Sequence, residues 1–119
     1  MNLERGTMII NTQRLIISEV KEKDYEDICE YGCDEEVGQY MIYWPKTKEE
    51  IREFIKDCIF SMSIENPTWY EFAVRLKANS KAIGNISLMI KDSEAEIGWI
   101  SNKKYWNNGY MSEAVNAVI

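Results

Sequence analysis

The segment Glu94-Ala95-Glu96-Ile97-Gly98-Trp99-Ile100, followed by Tyr105-Trp106-Asn107-Asn108-Gly109-Tyr110-Met111-Ser112-Glu113-Ala114, constrains this chain more than any other. Its first part reads as a strand, its second opens a helix, and Gly109 sits at the joint. A loop that enters a helix through a glycine aims several unpaired backbone N–H groups at one point, and the positive end of the helix dipole adds to their attraction for an anion. The segment therefore predicts a strand, a diphosphate cradle and a helix in succession, with no charged side chain required at the cradle. A lone glycine before a helix also fits an ordinary loop-to-helix turn, so the rest of the chain has to decide.

Residues 15–20 are a short β-branched apolar run, read as a strand after a loose start over residues 1–6. Residues 24–31 carry Tyr25, Ile28 and Cys29 at helical spacing, with Gly32 as the stop. The aromatic-rich stretch 34–45, with Tyr40, Tyr43 and Trp44, reads as a short helix or turn leading into a loop. The clearest helix follows. Thr47 and Glu50 form a capping box, Ile51, Phe54, Ile55, Cys58, Ile59 and Met62 make one apolar stripe, and Asn66-Pro67 ends it. Residues 69–77 alternate Tyr70, Phe72, Val74 and Leu76 against Glu71, Arg75 and Lys77, which predicts a half-buried strand. Ala78-Asn79-Ser80-Lys81 then makes a hairpin loop. A strand over 82–91 places Ile86, Leu88 and Ile90 on one face, and Asp92-Ser93 turns the chain into the strand at 95–101.

The combination A-E-I-G-W, a spacer, then Y-W-x-x-G-Y-x-x-E-A resembles the acetyl-CoA motif of the GNAT superfamily of N-acetyltransferases. Within it the match is to the branch that holds the ribosomal-protein N-terminal alanine or serine acetyltransferases, whose T-x-R-L start resembles Thr12-Gln13-Arg14-Leu15. The resemblance runs from Thr12 to Ile119. It implies one domain over residues 1–119 of the α/β (α+β) class, with a mixed, mostly antiparallel sheet flanked by helices. It also implies a fold incomplete at the C-terminus, because Ile119 falls a few residues into the helix that begins near Gly109. The part beyond ordinarily supplies the strand that splays away to admit the pantetheine arm, and a Tyr or Ser that reprotonates the leaving thiolate. Trp106 takes the first position of the superfamily pattern Q/R-x-x-G-x-G/A, as it often does in this branch. Met111 stands where Gly or Ala is usual, so it either crowds the diphosphate or points away from it.

By this resemblance acetyl-CoA is the cosubstrate and the acceptor is a primary amine, either a small amine or a protein N-terminal α-amine. The pantetheine would pair with the backbone of Gly98 and Ile100, with Ser101 just beyond, and an N–H near Ile100 would lie close to the thioester oxygen. The diphosphate would rest on the amides of Asn107, Asn108, Gly109, Tyr110, Met111 and Ser112. The chain has no histidine, so a base must be a carboxylate, a tyrosine or a water relay. Glu96, on the same face as Gly98 and Ile100, is the candidate that takes the amine's proton through water. A solvated strand residue, or a partner for a basic side chain, is the competing role for Glu96. Glu113 reads as a first-turn carboxylate serving free amides. Lys103 and Lys104 are either solvated or directed at the adenosine phosphates, and Tyr40, Tyr43 and Trp44 are either core or acceptor-pocket wall. Trp69 and Trp99 are expected to pack on the sheet, and Trp106 to anchor the loop from behind.

Composition narrows the partners. The hydrophobic content of 45% and charged content of 29% are those of a soluble globular protein. The chain has neither the ~18 to 20 apolar residues of a membrane span nor a signal-peptide layout, which points to the cytoplasm. A net charge of −6 disfavours nucleic acid. Cys29, Cys33 and Cys58 lack metal-site spacing and read as buried free thiols, with no metal expected. The alternative reading is a non-catalytic module with little or no activity alone, which holds CoA weakly or pairs an exposed strand with a second copy as a homodimer.

Overall fold

The computed structural model describes residues 8–38 and 47–119. The expectations for residues 1–6 and for Tyr40, Tyr43 and Trp44 lie outside the described residues. In chain order the elements are β1 (Ile9–Asn11), β2 (Leu15–Glu19), α1 (Tyr25–Gly32), α2 (Glu35–Gly38), α3 (Lys48–Ser63), β3 (Trp69–Leu76), β4 (Ala82–Lys91), β5 (Glu94–Ser101) and α4 (Tyr110–Val118). Single 3₁₀ turns precede α1 (Glu22–Asp24) and follow β5 (Lys103–Tyr105). The short edge strand β1 is not foreseen by the sequence pattern, because three residues are too few to show an alternation.

The strands form one sheet in the order β1-β2-β3-β4-β5, and each neighbouring pair is antiparallel. The mostly antiparallel sheet flanked by helices that the resemblance implies is present, and among the described residues all its pairings are antiparallel. Register along β3 and β4 shifts once, where Val74 faces Gly84 but Arg75 faces Ala82, leaving Ile83 as an extra residue.

Both faces of this sheet carry helices over β2, β3 and much of β4, while most of β5 is exposed. Val20, Ile28, Tyr31, Ile51, Ile55 and Ile100 form a core beneath α1 and α3. On the other face Leu15, Ile17, Phe72, Ile86, Ala114 and Val118 form a second core beneath α4. This corrects the half-buried reading of β3. Glu71 and Arg75, on the face taken as polar, are both buried because α1 and α3 lie over them. The face compensates with hydrogen bonds, as buried polar groups require. Arg75 pairs with Asp24 and also donates to Ser18 Oγ at 3.1 Å and Glu19 O at 3.2 Å. Trp69 packs at 5.9 Å from Phe54, whereas Trp99 is exposed, a second correction. Cys29 and Cys58 are buried free thiols, but Cys33 is exposed. Among the described residues no helix is long and apolar enough to cross a membrane.

Candidate functional site

The strand β5 lies at the sheet edge next to the loop that enters α4. In an antiparallel ladder the backbone groups of alternate residues point to opposite sides. The Asn102 N–H donates to Ile83 O at 2.8 Å, so Asn102, Ile100 and Gly98 turn theirs toward β4. Ile97, Trp99 and Ser101 turn theirs to the open edge. Ser101 O confirms the direction by accepting the indole N–H of Trp106 at 3.0 Å. Trp106 thus anchors the loop to the strand end. The edge donors fall one residue away from Gly98 and Ile100, the residues expected to pair with the pantetheine, with an N–H near Ile100 expected at the thioester oxygen. The side chain of Ile100 is buried in the core beneath α1 and α3.

Past the strand, the backbone makes two left-handed residues, Asn107 at φ 66° and Gly109 at φ 76°. Asn108 Nδ2 ties the bend together by donating to Tyr105 O and Trp106 O, each at 3.1 Å. Gly109 is the residue before α4 and offers no side-chain cap. The first helical bond is Glu113 N–H to Gly109 O at 3.0 Å, so Tyr110, Met111 and Ser112 keep their N–H groups free of the helix. None of the six amides from Asn107 to Ser112 donates to an acceptor among the described residues. Their run, its glycine and the helix end are what an anion such as a diphosphate fits.

Met111 turns inward. Its side chain joins the core beneath α4, and its sulfur lies 3.2 Å from where a Cβ on Gly84 would be. Of the two orientations open to Met111, the fold selects the inward one, and Gly84 makes the room.

The loop is held from outside by a residue that sequence reading treated only as part of a strand start. Arg14 Nη1 donates to Asn108 O at 2.9 Å and Arg14 Nε to Glu113 Oε1 at 2.7 Å, while the guanidinium lies 4.4 Å from the Tyr110 ring centroid. Glu113 Oε2 further accepts Thr12 Oγ1–H at 2.5 Å and the Arg14 N–H at 3.0 Å. The Thr12 hydroxyl, more than any other contact, and then Arg14 hold the Glu113 carboxyl below its ordinary value. Glu113 therefore joins two distant segments, and the backbone amide it serves is that of Arg14 rather than one in the first turn of its own helix. The opposite charges of Arg14 and Glu113 were the available signal, but a separation of 99 residues hides such a pair from local patterns.

Lys103 bonds Glu36 at 2.9 Å and pairs with Asp34 at 3.3 Å, while Lys104 bonds Glu30 at 2.8 Å. Both lysines thus tie the turn after β5 to α1 and α2, neither solvated freely nor directed at the loop. Glu96 lies on the α1/α3 face of β5 opposite Met89 and is exposed, and its side chain enters no ion pair among the described residues. Gly98 is exposed too, and a Cβ there would meet nothing within 4 Å among the described residues.

Comparison with known proteins identifies the family. The family described as acetyltransferase (GNAT) domain matches residues 14–119. The uncharacterized N-acetyltransferase YnaD of Bacillus subtilis (strain 168) is 32% identical over 114 residues, covering 94% of this chain and 64% of that protein. The crystal structure of a GNAT-family acetyltransferase from Bacillus anthracis superposes with a TM-score of 0.79 at 34% identity, over 93% of this chain and 63% of that one. RimL, a ribosomal L7/L12 α-N-protein acetyltransferase in complex with coenzyme A, shares the fold at TM-score 0.76 and 16% identity, over 93% of this chain and 65% of that one. The chain thus spans less than two thirds of the length of each. It belongs to the GNAT acetyltransferase domain family.

Proposed function

We propose that this chain carries the coenzyme-binding part of an acetyl-CoA-dependent N-acetyltransferase that acetylates a primary amine, such as a peptide α-amine. The observation that carries the reading is the run of six amides from Asn107 to Ser112 with no acceptor among the described residues, beside β5, the edge strand among them. Those amides would hold the diphosphate, with Gly109 supplying the left-handed turn. Gly98, Ile100 and Ser101 remain the strand segment beside the pantetheine, and the outward N–H groups of Trp99 and Ser101 would make the contacts. The Trp99 N–H is then the donor for the thioester oxygen, where charge develops during transfer. Acetyl-CoA supplies the activated acetyl group when bound. Glu96, exposed and unpaired on the same strand, would pass the ammonium proton to water. An α-amine acceptor extends to this chain what the name of RimL says of RimL.

The test is release of CoA thiol from acetyl-CoA by the purified protein with a panel of small amines and N-terminal peptides. Amine-dependent release that saturates in both substrates is expected. No release with any amine would contradict the reading. Among the described residues β5 is an edge strand, which favours self-association of this chain as a second reading. Light scattering at high concentration separates the two, since a monomer excludes strand pairing between copies.

A further inference from the structure

The α1/α3 face of the sheet holds a carboxylate that no step above uses. Glu71 is 0% exposed. Its Oε1 accepts the Ser87 hydroxyl at 2.5 Å and the Trp69 indole N–H at 3.0 Å, and its Oε2 accepts the Asn85 amide N–H at 3.0 Å. No lysine or arginine among the described residues forms an ion pair with it. Burial pushes its carboxyl above the ordinary value, and the three hydrogen bonds pull it partly back. Burying a carboxylate without a countercharge is costly.

The partners of Glu71 decide where its proton can go. An indole N–H and an amide N–H only donate, whereas a hydroxyl both donates and accepts. The amide of Asn85 is fixed in that sense because the Tyr31 hydroxyl donates to its Oδ1. Among the described residues, therefore, Ser87 is the partner through which a proton can reach or leave Glu71. Glu71, Ser87 and Gly98 are register partners on three adjacent strands, each step about 4.8 Å. Along this row exposure rises from buried Glu71 through half-buried Ser87 to exposed Gly98, over which there is open space among the described residues. Tyr31 of α1 and Cys58 of α3 also face Glu71, and burial holds both above their ordinary values and so uncharged near neutral pH. Asp24 and Arg75 neutralise each other. Glu96 lies on the same face, beside the row.

We propose that Ser87 and Glu71 form the proton-accepting pair of acetyl transfer, Ser87 touching the acceptor nitrogen above Gly98 and Glu71 storing the proton behind it. The assignment rests on the acetyltransferase reading. An ammonium acceptor sheds two protons, the first to water by way of Glu96. As the C–N bond forms and the C–S bond breaks, the electron pair of that bond stays on sulfur. The second N–H proton passes to Ser87 Oγ while the Ser87 proton passes to Glu71 Oε1. Glu71 returns its proton through Ser87 to solvent after the amide leaves, and the thiolate takes one from solvent.

Two readouts test this on the protein. Carboxyl ¹³C NMR without coenzyme is expected to show Glu71 titrating above the exposed glutamates, and Ser87→Ala is expected to move its midpoint further up. A Glu71 signal that does not titrate between about pH 4 and 9, or that Ser87→Ala leaves in place, would overturn the assignment whatever the activity. In turnover, Ser87→Ala is expected to lower kcat roughly 100-fold with the KM for acetyl-CoA unchanged, and Ser87→Thr to restore it to within about fivefold. These variants keep the carboxylate and its other bonds, so Glu71→Gln, which sets one amide against that of Asn85, serves only as a second check. An active wild type whose Ser87→Ala and Glu71→Gln variants turn over normally overturns the assignment alone. A wild type that acetylates no amine overturns the acetyltransferase reading and the assignment with it.

Discussion

Arg14 and Glu113 illustrate how one ion pair shapes a binding loop. Their side chains are 41% and 20% exposed, and an exposed pair by itself is worth little. Here Glu113 also accepts from the Thr12 hydroxyl and the Arg14 backbone N–H, and the Arg14 guanidinium donates to the Asn108 carbonyl, so each member fixes the loop through several atoms. Arg14→Ala and Glu113→Ala should each lower stability and weaken coenzyme affinity, and the double variant should lose less than the sum. Urea unfolding of the four proteins checks this, with a coupling energy on the order of 0.5 to 3 kcal/mol expected for residues in one network. The pH dependence follows from the depressed carboxyl of Glu113. Its contribution is present above the unfolded value, near 4.5, and disappears as pH falls through the lower folded one. Glu113→Gln should therefore be less stable than wild type at neutral pH, the difference shrinking in acid.

Between elements, the junction of β4, β5 and α4 depends on Gly84. A Cβ there would lie 2.6 Å from Ile100 O, a backbone atom, and 3.2 Å from Met111 Sδ. Gly84→Ala should destabilise by about 1 to 3 kcal/mol, as overpacked sites do, and denaturant midpoints measure it. The sequence revealed local features well. The capping box of α3 forms as read, with Thr47 Oγ1 accepting Glu50 N–H at 3.1 Å and Thr47 N–H donating to Glu50 Oε1 at 3.2 Å. The bounds of β4 coincide with the apolar pattern, and Gly109 takes the left-handed turn its type suggested. What stayed hidden depends on contacts far apart in the chain. The polar alternation of β3 suggested solvent, but α1 and α3 need a sheet face to cover, and Glu71 and Arg75 lie on it. Lys103 and Lys104 sit beside the loop in sequence yet bond to α1 and α2, which local order does not disclose. The outward backbone of Trp99 and Ser101 follows from register, which a period of two leaves undetermined by one residue.

The two cores and the buried polar row give the fold a pH dependence of its own. Glu71 has a folded value raised by burial, so its favourable contribution is full below the unfolded value and is lost as pH rises through the folded one. Each unit of that rise is worth about 1.4 kcal/mol. Thermal unfolding from about pH 4 to 8 should therefore show wild type losing stability relative to Glu71→Gln as pH increases; parallel curves would contradict a titrating Glu71. Coenzyme recognition is the most direct test of the account. ¹H–¹⁵N NMR titration of the protein with acetyl-CoA should give saturable shifts at the amides of Asn107 to Ser112 and at Trp99 and Ser101. ADP should reproduce the loop shifts without those of the strand, and Gly109→Trp should abolish both sets. Shifts located elsewhere, or none at millimolar coenzyme, would contradict the assignment of this loop as the diphosphate cradle.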